Sequence, residues 1–370
     1  MRILIYSDHF FPSIGGSENY AFDLASQLVN YGHVVGVITS QRNLEEDNFS
    51  FSIYRLKKTF SIYKINFGFF EIPAIIKKFR PDVIQINYQT GGENILIILL
   101  KILNIPFVIT YHADHIRLIG KVIDEFQLLS TFRLAKVIMV QSERDDKKFR
   151  KKGIDSRKLK LIRFTGIDLE RYKCSKTYSL NKENVKLVCI ARLDDSHRYK
   201  GVYELIESIR SIKQEELGSK LSLRIIGDGN LKSVYEDFCR DANLNNITFL
   251  GDLSFNDLLG QICQSNFLIL PSIDKAEGFG RVVLEALSCG IPVIVSKYAG
   301  IAELVTKHEA GIVFDPTEYL TLVKTINNII NEPSELKKLI KNGRKLIAEE
   351  ELSLSSVTEK VIDVYYSSIK

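Results

Sequence analysis

Phe267-Leu268-Ile269-Leu270-Pro271-Ser272-Ile273-Asp274-Lys275-Ala276-Glu277-Gly278-Phe279-Gly280-Arg281 passes from an apolar run through a polar, glycine-bearing turn into a segment with helical periodicity. The run Phe267–Leu270, closed by Pro271, reads as a buried strand, and Val283 with Leu287 marks the apolar stripe of a helix over about 280–289. Strand, glycine turn and helix in that order form the repeating unit of a parallel sheet covered by helices. The turn carries Glu277 and the helix carries Glu285, so carboxylates, a flexible backbone and unpaired helix-start amides meet at one strand end.

The same unit recurs in both directions. Towards the N-terminus, strands are expected at Val185–Ile190, Leu221–Ile226 and Ile247–Leu250, with helices at about 200–212 and 230–242; towards the C-terminus, Val293–Val295 and Gly311–Val313 continue the series. The last fifty residues read as helical, with Pro333 at a helix start. Further back, Ile3–Tyr6 precedes Gly15-Gly16 and a helix whose Ala21, Leu24, Ala25 and Leu28 share one face. Val34–Ile38, Val83–Ile86, Phe107–Thr110, Val137–Val140 and Lys160–Ile162 follow as strands. Between Glu170 and Glu183 the apolar pattern lapses. A chain of 370 residues exceeds one usual core, so the expectation is α/β with two doubly wound domains. Their bounds are 1–170 and 185–350, with a linker at 171–184 and a C-terminal helix at 351–370 that packs back towards the first domain.

Composition excludes several classes. The hydrophobic fraction of 45% and charged fraction of 26% are those of a globular protein, and the richest apolar stretch, Ile95–Leu103, is interrupted by Lys101 and too short to span a bilayer. The N-terminus reads as a strand rather than a secretion signal, which favours a cytoplasmic location. Cys174, Cys189, Cys239, Cys263 and Cys289 show no paired spacing, which argues against a zinc site and against a disulfide framework and favours buried thiols. The net charge of +5 resides in the first half: residues 1–170 hold 24 basic and 18 acidic side chains, and residues 171–370 hold 26 and 27. Its densest part, Arg144 to Arg163, is either a solvated face or a surface for anionic lipid; no nucleic-acid partner is expected.

Ligands of open parallel sheets bind beyond the carboxyl ends of the strands. Gly15-Gly16 would let backbone approach a ligand, although a tight turn explains the same pair. His112 at a strand end can donate to a hydroxyl or orient a reacting group; nearby Asp114 and His115 lack the further ligands a metal site needs. Arg192 and Lys200 flank the turn after Val185–Ile190, and two cations there could hold a diphosphate. Gly227-Asp228-Gly229 lacks the third glycine of a dinucleotide fingerprint.

In this order, Gly15-Gly16-Ser17-Glu18, His112, Ala191-Arg192-Leu193, Lys200-Gly201, Gly227-Asp228-Gly229, Glu277-Gly278-Phe279-Gly280 through Glu285-Ala286, Gly290-Ile291-Pro292 and Gly300-Ile301-Ala302-Glu303 resemble the family 4 glycosyltransferases over essentially the whole chain. The resemblance implies the GT-B fold, with two facing Rossmann-like domains and a cleft between them. It also implies a retaining, metal-independent hexosyltransferase that needs no cofactor. Its donor would be a nucleoside-diphosphate sugar, a UDP-sugar ahead of a GDP-sugar. Carried over, Arg192 and Lys200 would hold the diphosphate, Glu285 the ribose, Glu277 with Gly278, Phe279 and Gly280 the sugar hydroxyls, and Leu253 the nucleobase. His112 would meet the sugar near the reacting carbon and Gly15-Gly16 the phosphates. Departures are Ala191 where glycine is common, Thr165 where asparagine is usual, and a longer Arg192–Lys200 turn of the kind that carries Arg198-Tyr199-Lys200-Gly201.

For the acceptor, Phe60, Tyr63, Phe67, Phe69 and Phe70 with Lys57, Lys58 and Lys64 suggest either a binding surface or core. Together with the basic run they favour a saccharide or polyprenyl-linked saccharide met by a peripheral enzyme at the inner membrane face, in surface polysaccharide, lipopolysaccharide or glycolipid synthesis, with water-soluble small acceptors as the competing reading. A nucleotide-sugar 2-epimerase and a noncatalytic partner subunit are the rival readings.

Overall fold

Ile3 to Tyr6 of strand β1 (Arg2–Tyr6) are buried, which is why the strand reads as a continuous apolar run rather than an alternation. The computed structural model describes residues 1–12, 15–41, 48–56, 61–62, 65–66, 71–88, 93–112, 121–175, 178–212 and 220–369. Contacts divide the chain into two units, residues 1–166 with 352–370, and residues 167–351.

In the first unit β1 is joined by β2 (Val34–Thr39) and β3 (Ser52–Arg55); a hairpin of β4 (Ser61–Ile62) and β5 (Ile65–Asn66) stands apart. With β6 (Val83–Tyr88), β7 (Phe107–Tyr111), β8 (Val137–Val140) and β9 (Leu159–Leu161) the main sheet has seven parallel strands in the order β3-β2-β1-β6-β7-β8-β9. Helix α1 (Gly16–Asn30) and the C-terminal helix Leu354–Ile369 bury Leu24, Leu28, Val361 and Tyr365 against Ile3 and Ile5 on one face. Helices α2 (Ile72–Phe79), α3 (Asn94–Ile102), α4 (Lys121–Leu134) and α5 (Glu143–Lys151) lie along the unit's chain, and Ile76, Leu96, Phe132 and Phe149 from them cover Leu4, Ile84 and Ile109 on the other face. A buried polar chain ties the layers together. Tyr365 donates to Gln85 Oε1 at 2.5 Å, Gln85 Nε2 donates to Tyr20 at 3.1 Å and to Asn87 Oδ1 at 2.8 Å, and Thr110 donates to Asn87 Oδ1 at 2.6 Å.

The second unit has six parallel strands, β10 (Val185–Ile190), β11 (Leu221–Ile226), β12 (Ile247–Gly251), β13 (Phe267–Leu270), β14 (Val293–Ser296) and β15 (Gly311–Phe314). Their order is β12-β11-β10-β13-β14-β15. Its helices are α6 (Val202–Ser211), α7 (Lys232–Asp241), α8 (Phe255–Cys263), α9 (Arg281–Ser288), α10 (Ala302–Lys307), α11 (Tyr319–Asn331) and α12 (Pro333–Glu349), with Pro333 in the first turn of α12. In this numbering Leu354–Ile369 is α13.

Two expectations need correction. Residues 171–184 are part of the second unit rather than a free linker: Tyr172 is buried, and Asn266 binds Ser179 and Tyr178 through its amide and carbonyl. Strand β3 was not expected, because Ser52-Ile53-Tyr54-Arg55 is a half-buried sheet edge with no apolar run. Phe60, Tyr63, Phe67, Phe69, Phe70, Lys57, Lys58, Lys64, Asp114 and His115 lie outside the described residues.

Candidate active site

The strand order of the second unit reverses between β10 and β13, and an open parallel sheet opens a crevice at such a point. Arg192 and Lys200 follow β10, and Glu277 follows β13. The turn after β10 winds into a 3-10 turn, Asp195–Lys200, held on the surface by Asp194 accepting from Ser196 N at 2.9 Å and by an Asp195–Arg198 ion pair at 2.9 Å. It ends at Gly201 with φ 71°, where a Cβ would stand 2.1 Å from the Pro271 carbonyl oxygen. Only glycine permits that approach, which brings the turn onto the end of β13. Ile273 N donates to Tyr199 O at 2.8 Å across the same junction.

Lys200 Nζ consequently lies 2.7 Å from Glu277 Oε2, which also accepts from Ser272 Oγ at 2.9 Å. Glu277 is buried, and the Lys200 side chain is about a fifth exposed, at 20%. Burial opposes the lysine charge, but Glu277 outweighs it and the Lys200 pKa is raised. The Tyr199 phenol, pushed up to about 12 by burial, also senses Lys200, Glu277 and Arg192, so both cations and the carboxylate share one electrostatic neighbourhood. Gly227-Asp228-Gly229 packs under this turn: a Cβ on Gly227 would meet Ala191 O at 2.0 Å, so the glycine shapes the loop.

Beyond Glu277, the backbone of Gly278 and Phe279 is pinned by Gly300 N and Ile301 N at 2.7 and 2.9 Å. Gly280 caps α9 at φ 93°. No side chain caps this helix start, and an anion is favoured at the first amides of a helix. The Val283–Leu287 stripe by itself would leave Glu285 on the opposite, polar face of α9. Instead α9 is buried nearly all round, and Glu285 Oε1 accepts from Tyr172 OH at 3.0 Å and Arg281 Nε at 3.3 Å. Burial first and Glu285 second raise the Tyr172 pKa, which keeps the phenol a donor. Leu253 is half-buried in the loop between β12 and α8.

Gly15, Gly16 and His112 belong to the first unit. Gly15 precedes α1 in extended conformation, and a Cβ on Gly16 would meet nothing within 4 Å, so the packing of the protein does not demand glycine there. His112 follows β7, and its ring packs against Tyr20 and Phe164 with centroids 5.1 and 5.0 Å away.

Two family models match successive parts of the chain, Glycosyltransferase Family 4 over residues 14–171 and glycosyl transferases group 1 over residues 173–346. The chain belongs to the family 4, group 1 glycosyltransferases. An uncharacterised glycosyltransferase of Methanocaldococcus jannaschii is 26% identical over 356 residues, covering 93% of each chain. The glycosyltransferase shares its GT-B fold with sucrose-phosphate synthase from Thermosynechococcus elongatus, at TM-score 0.83 and 20% identity over 99% of this chain and 98% of that one. A structure of Anabaena HepE in complex with UDP-glucose superposes at TM-score 0.77 with 18% identity, covering 99% of both chains.

Three features of this glycosyltransferase escaped sequence reasoning. Ser272 stands in the quoted stretch, yet only the fold shows that it binds Glu277. Tyr172 lay in the presumed linker. The cysteines were expected as unpaired thiols, but Cys174 and Cys263 form a disulfide across a sequence separation of 89 residues, and the Cys289 sulfur completes a group within 4.8 Å. No local spacing signals a pair brought together only by the packing of residues 171–174 against α8.

Proposed function

We propose that this glycosyltransferase moves a hexosyl group from a nucleoside-diphosphate sugar to a saccharide or lipid-linked saccharide, with retention of configuration and without a metal. The observation that carries the reading is the buried Lys200–Glu277 pair at the reversal of strand order. Lys200 and Arg192 meet the diphosphate, and the α9 amides add to their field. As the anomeric carbon–oxygen bond breaks, the departing oxygen gains negative charge, and fixed cations stabilise it most at that moment. Glu277 and the Gly278–Gly280 backbone take the sugar hydroxyls, Glu285 the ribose hydroxyls, and Leu253 the base. In the first unit, His112 is assigned the transferred sugar and Gly16 the phosphates. The acceptor hydroxyl forms the new bond on the face the leaving group vacates, and its proton passes to a donor phosphate oxygen.

The UDP-glucose complex of Anabaena HepE supports a UDP-hexose as the first donor to try. Calorimetry with UDP- and GDP-hexoses, followed by transfer assays with and without EDTA, tests the reading. Undiminished turnover by both Lys200→Ala and Glu277→Ala would refute it.

A lipid-linked acceptor is favoured by one observation. Helix α3 exposes Ile95, Ile98 and Ile102 on one side, with Leu103 following, at 39, 49, 75 and 46%. Lys101 flanks them, an arrangement suited to the headgroup boundary of an anionic bilayer. The Arg144–Arg163 run contributes less free charge than its composition suggests, since Lys147, Arg150, Lys152 and Arg157 are paired with Glu143, Asp146, Glu125 and Asp155. Among the described residues no helix is long and apolar enough to cross a membrane.

A further inference from the structure

We propose that Cys174–Cys263 is a reversible thiol–disulfide modification site that tunes nucleotide binding by holding Tyr172 on Glu285. The inference rests on the donor-site reading above. Of the five cysteines, Cys189, Cys239 and Cys289 are buried, whereas the two bonded ones are half-exposed and next to exposed Lys173, Ser175 and Gln264. An attacking thiolate can reach them.

The disulfide joins the segment 171–174 to the last residue of α8, while the start of α8 holds the same segment through Phe255. The Arg171 guanidinium lies 4.0 Å from the Phe255 ring centroid, and the Tyr172 ring meets Phe255 edge-on at 5.3 Å. Tyr172 thereby reaches α9 twice, through its hydroxyl on Glu285 and through its carbonyl, which accepts from Ser288 Oγ at 2.8 Å. Tyr172 and Arg281 both hold the same Glu285 oxygen, Oε1, which fixes the orientation of the carboxylate. Opening the disulfide removes the covalent end of this clamp, so the Tyr172–Glu285 bond is populated less and the carboxylate is free to turn.

The reaction is a two-electron exchange. A dithiol attacks one sulfur of the pair through a mixed disulfide, its second thiol releases that sulfur, and Cys174 and Cys263 each gain a proton while the dithiol becomes a disulfide. Cys289 does not compete for the pair. Burial and Glu285 push its thiol up to about 12, which disfavours the attacking thiolate.

The experiment uses the full chain, oxidised with oxidised glutathione or reduced with dithiothreitol, and UDP as the probe. Labelling of the denatured protein with N-ethylmaleimide should give three adducts by mass in the oxidised form and five in the reduced one, matching three free cysteines of five. By calorimetry, reduction should weaken UDP binding about five- to tenfold. Cys174→Ser and Cys263→Ser should show the weaker affinity in either buffer, Tyr172→Phe should remove the redox dependence, and Cys239→Ala should retain it. Equal UDP affinity of the two forms, with only the melting temperature shifted, would overturn the switch and leave the donor site standing. UDP binding by neither form would overturn the donor site and the switch with it, and five adducts after oxidation would overturn the disulfide.

Discussion

Replacing Lys200 by alanine separates what the Lys200–Glu277 pair does for the fold from what it does for transfer. At 2.7 Å, two unit charges attract by about 6 kcal/mol at an effective dielectric of ~20. Desolvation of both groups offsets much of that, so the measurable consequence of Lys200→Ala is the isolated carboxylate left behind. Removing one partner of a buried pair costs about 3–5 kcal/mol, and the 20% exposure of the lysine side chain places this case near the lower end, at about 3 kcal/mol. Urea unfolding should show that loss with an unchanged slope. Adding Glu277→Gln should recover about 2 kcal/mol, because a neutral amide can still accept from Ser272 and no longer needs a cation. Transfer should fall at least about 100-fold in Lys200→Ala and stay low in the double variant, since the leaving diphosphate has lost its cation. A loss of stability under about 1 kcal/mol, or recovered turnover in the double variant, would refute the reasoning.

Other outcomes follow from the same geometry. Gly201→Ala must either abandon φ 71° or drive a Cβ onto Pro271 O, so it should lose more than about 2 kcal/mol and abolish UDP binding; wild-type calorimetry would contradict the role given to this turn. Glu285→Gln weakens the acceptor for Tyr172 and Arg281 and should lower UDP affinity at least about tenfold, measured by titration. The Lys200 pKa is raised above its ordinary 10.5, so its stabilisation is fully present below pH 10.5 and lost as pH rises through the higher folded value. The stability gap between wild type and Lys200→Ala should therefore be flat from pH 7 to 10 and narrow only beyond that. Flotation with anionic vesicles should be reduced by Ile98→Asp and by rising salt; binding indifferent to both would remove the membrane reading of α3.

The parts legible in the sequence were those written in short-range pattern. Buried parallel strands such as Val185–Ile190 and Phe267–Leu270 show as apolar runs because both faces are covered, and helices after them show their stripe. Glu277 and Lys200 were legible as polar residues at strand ends, where ligands of this architecture bind. Their contact was not, because it depends on Gly201 meeting Pro271 across a sequence gap of about seventy residues. Tyr172 and Cys174 were hidden for a related reason: buried Tyr172 and half-exposed Cys174 lie singly among exposed Arg171, Lys173 and Ser175, a pattern that reads as linker. Burial of Glu285 was missed because a helix covered nearly all round lacks the polar face that periodicity looks for.

The pairing of Lys200 with Glu277 bears on how a donor would enter. A cation already 2.7 Å from a carboxylate has most of its attraction satisfied, so an arriving phosphate gains only the difference between two anionic partners. That difference grows as the leaving group takes on charge, whereas the Glu277 contribution stays fixed. On the proposed donor-site reading, the arrangement would limit affinity for the intact sugar nucleotide while favouring the state in which the bond to the diphosphate is breaking. On the same reading Ser272, which donates to Glu277 Oε2, would hold that oxygen in place if the lysine shifts part of its interaction to phosphate. Ser272→Ala should on this argument lower kcat more than it raises KM, the reverse of what loss of a simple binding contact would do. A rise in KM with unchanged kcat would show that the pair serves binding alone.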